Sequence, residues 1–129
     1  MTHNFRNLKV WQKGIDVTDE VYSFCEFLPS EEKFNLQSQL KRSAVSIPSN
    51  IAEGCAKKSK NELVHYLGIS SGSVYELETQ LLICERRKMN SISIPFLDEK
   101  IHELQKMIFS FRQSLLVFAL FSLFFISVQ

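Results

Sequence analysis

Four segments of this chain repeat one spacing, and that spacing leaves few folds open. In the clearest, Leu63, Leu67, Ser70, Val74, Leu77, Leu81 and Cys84 follow at steps of 4, 3, 4, 3, 4 and 3. Such stepping gathers apolar groups on one side of an α-helix and leaves the other to water. Leu97, Ile101, Leu104, Ile108, Phe111, Leu115 and Phe118 repeat it further on. Near the start, Leu8, Trp11, Ile15, Thr18, Tyr22 and Cys25 form a stripe that Val10, Val17, Val21, Phe24 and Leu28 widen. Leu36, Leu40, Ala44, Ile47 and Ile51 make the fourth. A mean step near 3.5 residues favours shallow, left-handed helix packing. With short connections, the prediction is an all-α, antiparallel up-down-up-down four-helix bundle forming one domain over residues 1–115. Four glycines and three prolines among 129 residues leave little material for a turn-rich β fold.

The punctuation between segments agrees. Pro29 ends the first helix, and Ser30 with Glu31 and Glu32 suits the start of the second, where acidic groups meet the positive end of the dipole. The second helix is expected from about Phe34 to Glu53, kinked near Pro48, which removes a backbone donor and crowds the carbonyl of Ala44. Gly54 is the expected C-terminal cap. Ser59 and Glu62 have the spacing of a capping box for the third helix. The centre of that helix, Gly68–Ser73, is poor helix-forming material. Either a neighbour approaches closely there or the segment breaks in two. Asn90–Ile94 reads as a connection, with Pro95 in the first turn of the fourth helix.

After Arg112 the pattern changes. Gln113–Gln129 carries no charge, and Leu115–Val128 is apolar on every face. As a helix, the uncharged run spans about 25 Å, short of the ~30 Å hydrocarbon core of a bilayer. Residues 116–129 are therefore read as an apolar extension that continues or follows the fourth helix. Burial at a subunit interface is the first reading, membrane association the second, and a disordered or aberrant extension the third.

Motifs for catalysis are scarce. His3, His65 and His102 lack metal-ligand spacing, and no P-loop, dinucleotide fingerprint or nucleophile elbow is present. Glu76 and Glu78 point about 200° apart on a helix and are poor partners for acid–base work. The expectation is a protein without enzymatic activity, cofactor or metal. Cys25, Cys55 and Cys84 are odd in number, lack a C-x-x-C spacing, and two fall on apolar stripes. That argues for a reducing compartment and, with no apolar leader in M-T-H-N-F-R-N-L-K-V-W, for the cytoplasm.

A net charge of +1 makes any electrostatic partner a matter of local patches. In the predicted bundle, the first helix's start, the second-to-third loop and the fourth helix's end share one pole, which collects Arg6, Lys9, Lys13, Lys57, Lys58, Lys60 and Arg112. The candidate nucleic-acid-binding set is Lys9, Lys13, Lys41, Arg42, Lys57, Lys58 and Lys60, which would act by phosphate attraction. A plain solvated surface is the competing reading. Pro48, Asn50, Glu53 and Gly54 form a structural motif. Asn50 is expected to satisfy groups freed by Pro48, and Glu53 to pair with Arg42 or with a neighbouring subunit's cation.

The strings L-K-V-W-Q-K (Leu8–Lys13), L-Q-S-Q-L-K-R-S-A-V-S-I-P-S-N-I-A-E-G (Leu36–Gly54) and E-L-E-T-Q-L (Glu76–Leu81), with Gly72-Ser73, carry a resemblance. Over roughly Phe5–Leu115 the chain resembles the bacterial four-helix bundle proteins encoded in intervening sequences of 23S ribosomal RNA genes, loosely called ribosomal protein-like. The resemblance implies a ring-like homopentamer and no catalytic residues. These proteins are also similar to the pentameric, nucleic-acid-binding accessory proteins of diversity-generating retroelements. Beyond about Leu115, where members stop or turn polar, this chain departs from the pattern. The expected function is therefore an oligomeric bundle that binds RNA or DNA through basic surfaces. The alternative is a structural scaffold without nucleic acid, with membrane contact by the tail as an added role.

Overall fold

The computed structural model describes residues 4–89 and 94–128. Four helices carry the chain, α1 (Lys9–Cys25), α2 (Leu36–Cys55), α3 (Lys60–Arg86) and α4 (Ile94–Val128), with short 3-10 turns at Phe5–Asn7 and Ser30–Glu32. No strand occurs among the described residues. The predicted connection Asn90–Ile94 lies outside the described residues except for Ile94, which opens α4.

Each helix touches two others, α1 and α3 both packing on α2 and α4, while the diagonal pairs are not neighbours. This is a square bundle with an apolar axis. Val17, Val21, Leu40, Ile47, Ile51, Leu67, Val74, Leu77, Ile101 and Leu104 are fully shielded from solvent in it. The predicted stripes of α2 and α3 point inward, apart from a half-buried Leu36. On α1 the buried face is centred on Val10, Gly14, Val17, Val21, Phe24 and Cys25. Leu8, Trp11, Ile15 and Thr18 lie half-buried on its flank, and Tyr22 is exposed. The residues read as the margin of that stripe are its middle, because α1 sits in the groove between α2 and α4 and both neighbours shape its inner face.

Ser59 caps α3 as the sequence predicts. Its hydroxyl accepts from the Glu62 N–H at 3.2 Å, and the Glu62 carboxylate accepts from the Ser59 N–H at 3.3 Å. The helix then runs unbroken through Gly68–Ser73. Close contact supports the weak stretch. Ser70 donates to the Ile47 carbonyl at 2.9 Å, and the hydroxyls of Ser73 and Ser46 lie 2.8 Å apart. Nothing lies within 4 Å of where a side chain on Gly72 would begin, and no contact explains that glycine. The C-terminus of α3 closes through Lys88, whose φ of 51° is left-handed, with Met89 N–H bonded to the Cys84 carbonyl at 3.0 Å.

Two expectations about α2 are corrected. Ser30–Glu32 forms a separate 3-10 turn, and α2 itself begins at Leu36 rather than near Phe34, which is 86% exposed. Gly54 is not a C-terminal cap. It lies inside the last turn of α2, and no glycine adopts a positive φ. A Cβ at Gly54 would meet Tyr66 Cβ at 2.8 Å and Leu63 Cδ1 at 3.0 Å. The glycine is there to let α2 and α3 approach where they cross.

Candidate nucleic-acid interface

The S-A-V-S-I-P-S-N-I-A-E-G stretch folds entirely into α2 and bonds to both flanking helices. Pro48 is buried, and its missing N–H leaves the Ala44 carbonyl without its helical donor. Thr18 of α1 supplies the replacement. Its hydroxyl is shared between the Ala44 carbonyl at 3.1 Å and that of Gly14 at 2.8 Å. Asn50, expected in that role, instead donates to the Ser46 carbonyl at 2.8 Å and the Ser46 hydroxyl at 2.9 Å. Together with the Ser46–Ser73 contact, this ties the stretch to α3. Glu53 is exposed and sits three turns from Arg42 on the same helix, so the expected intrachain pair is out of reach. No ion pair between them forms among the described residues. Pro48, Asn50 and Gly54 thus serve the internal architecture of the bundle, while Glu53 faces solvent.

The candidate cations divide into two groups. Lys9 and Lys13 open α1, while Lys57, Lys58 and Lys60 occupy the α2–α3 turn and the first residue of α3, at the same pole. Lys41 and Arg42 lie in the first half of α2, about 23 Å along the axis from Lys57. There the Lys41 ammonium stands 4.9 Å from the centre of the Tyr22 ring. One face does not hold all seven.

Several of the seven have partners. Lys13 pairs with Glu103 at 2.8 Å, and Lys57 lies 5.1 Å over the Tyr66 ring. Lys9, Arg42 and Lys58 are exposed. The bundle brings Lys106 of α4 to the groove beside Lys9, where Leu8, Glu103 and Met107 also line the wall. Lys106 was not in the candidate set. Its signal was register, since position 106 of an antiparallel α4 runs level with the first turns of α1. Arg112 reaches across to α3, donating to the Val64 carbonyl at 3.2 Å and lying over Gly68, where a Cβ would come 3.1 Å from its guanidinium.

Away from this pole, the α3–α4 seam groups Glu78, Asp98 and His102, whose donor atoms all fall within 4.8 Å of one another. His102 Nε2 lies 3.0 Å from Glu78 and 3.9 Å from Asp98, and Gln105 donates to the other Glu78 oxygen at 2.7 Å. The Gln105 hydrogen bond is the main reason the Glu78 carboxyl is held below its ordinary range. Partial burial opposes it, and contact with His102 assists. One imidazole and two carboxylates are donors that a divalent cation accepts. As arranged, they form an interhelical network in which Glu78 is the hub and Asp98 and His102 remain partly open to solvent. Sequence spacing hid it because Glu78 comes from another helix.

The buried thiols offer no nucleophile. Burial pushes Cys25 and Cys84 up to about 11 and raises Cys55 as well, so all three remain protonated near neutrality.

A family model described as 23S rRNA-intervening sequence protein matches residues 6–110. The chain belongs to this family. The match takes in α1, α2, α3 and α4 as far as Ser110, and with them the whole α2 signature and the basic pole up to Lys106. It stops short of Arg112 and of everything that follows. A search of curated proteins finds no match.

Proposed function

We propose that this family member is a non-enzymatic, self-associating helical bundle of the cytoplasm that binds RNA through its basic pole. The observation that carries the reading is the convergence at one end of the bundle of Arg6, Lys9, Lys57, Lys58, Lys60 and Lys106, in a molecule whose net charge is only +1. Such a cluster attracts phosphate without reading sequence, and its affinity falls steeply with salt. Tyr66 beneath Lys57, with exposed His65 packed edge-on against it, adds rings on which unpaired bases stack. The family's link to 23S ribosomal RNA genes makes RNA the first ligand to try. The homopentamer implied by the resemblance would repeat the pole around a ring and multiply its contacts.

The test is filter binding of a 23S ribosomal RNA fragment across a salt series, with mass measured by light scattering. The wild type is expected to lose affinity log-linearly with salt. Replacing Lys57, Lys58 and Lys60 by Gln is expected to flatten that slope by about 2 to 3, at roughly 0.7–0.9 per phosphate contact. Absence of binding at low salt, or a slope the triple variant leaves unchanged, overturns the reading. A defined oligomer with no nucleic acid would then favour the scaffold, a role consistent with Lys13 and Lys57 already being engaged inside the bundle.

A further inference from the structure

Antiparallel register fixes where α4 leaves its neighbours. Arg112 grips the Val64 carbonyl one turn inside the start of α3 at Lys60, so α4 is level with that start near Leu116. Leu115, at 8% exposure, is the last buried position among the described residues. From Val117 to Val128 the helix continues for about 18 Å, and every described side chain along it is exposed.

Its exposed surface is apolar all round. The consecutive residues Leu123, Phe124, Phe125 and Ile126 sweep most of the helix circumference, and each is at least 60% exposed. A helix that docks on one partner needs a stripe about 100° wide, and one partner would leave most of this surface in water. Tails of several copies gathered together would bury their inner faces and leave the outer ones bare. A hydrocarbon medium covers every face at once.

Two further observations fit that medium. Two hydroxyls of the uncharged run are satisfied by the helix's own backbone, Ser114 donating to the Phe111 carbonyl at 2.7 Å and Ser127 to the Phe124 carbonyl at 2.9 Å. Lipid demands such internal satisfaction. The root of the helix also emerges from the pole that carries exposed Arg6, Lys9 and Lys58, charges complementary to anionic headgroups.

We infer that Val117–Val128 inserts into an anionic lipid bilayer, with the basic pole of the bundle seated on the headgroups. The projecting Val117–Val128 rises about 18 Å, less than the ~30 Å hydrocarbon core, so it enters the bilayer without crossing it. The anionic cytoplasmic leaflet is the surface that such a basic pole would face. The occupant is lipid, and a second copy gathered on the tail is an outcome the test separates from it.

The test is flotation of the full chain with phosphatidylcholine vesicles, with and without phosphatidylglycerol, followed by a 1 M KCl wash. The wild type is expected to float, more completely with the anionic lipid, and to resist the wash. The L120E/F124E variant changes only exposed positions, so the bundle stays folded. Its floated fraction should fall about tenfold or more, since one carboxylate inside an inserted helix already costs more than that. A K57Q/K58Q variant should lose the preference for anionic lipid and keep the salt-resistant fraction. Wild-type protein left in the soluble fraction, a double-glutamate variant that floats like wild type, or complete release by salt would overturn the inference. So would a soluble oligomer whose tail resists proteolysis without lipid, which would assign the tail to a second copy.

Discussion

The two halves of α4 are one continuous helix and obey opposite rules. From Leu97 to Leu115 its apolar side chains recur at steps of 4 and 3, and Leu97, Ile101, Leu104, Ile108 and Leu115 are at most 8% exposed. Polar groups on the other faces are spent on neighbours, Lys100 with Glu20, Glu103 with Lys13 and His102 with Glu78. Beyond Leu116 the composition is more apolar, yet Leu120, Phe121, Leu123, Phe124, Phe125 and Ile126 are 60–74% exposed. Hydrophobicity alone did not bury them. Burial needs a neighbour, and α4 outruns the start of α3 near Leu116, so its all-round apolar run meets no facing helix within the chain.

The sharpest way to break this comparison is a matched pair of truncations. Ile101→Ala should destabilise the bundle by about 2–5 kcal/mol, the usual cost of a cavity in a closed core. Ile126→Ala should change stability by less than about 0.5 kcal/mol. Urea unfolding followed by circular dichroism checks both. Equal effects would mean that the projecting half packs as the inner half does.

A smaller effect is expected where the α2 signature depends on α1. Thr18→Val keeps the shape of the side chain and removes the donor to the Ala44 carbonyl. It should cost about 1–3 kcal/mol, and Thr18→Ser should recover most of it. If Val is neutral, the carbonyl freed by Pro48 has another donor, and the signature is less tied to its neighbour than the hydrogen bonds indicate.

The smallest effect concerns the seam that holds the inner half of α4. The folded-state pKa of Glu78 lies below its ordinary value of 4.5, so its contribution to stability is complete above that value. It is lost as pH falls through the lower, folded-state pKa. Glu78→Gln should therefore remove a small part of the acid slope of stability below about pH 4.5. Stability profiles against pH for the two proteins should merge in strong acid and separate above it.

What could be read in the residues alone was whatever depends on near neighbours along the chain. The capping box at Ser59, the stripes of α2, α3 and inner α4, and the signature that names the family are of this kind, because helix periodicity and capping are local. The grouping of basic residues was legible only in part. Topology joins Lys9 to Lys57 and Lys58, adds Lys106, and leaves Lys41 and Arg42 on another part of α2.

The remainder needed three dimensions. Which half of the α1 stripe is central, which side chain serves the carbonyl that Pro48 frees, and why position 54 holds glycine all depend on another helix at a particular height and angle. Periodicity determined that these helices would find partners. Only the packed bundle decided how close α2 and α3 come at Gly54, and that α4 outruns its neighbours near Leu116 and leaves its most apolar turns uncovered.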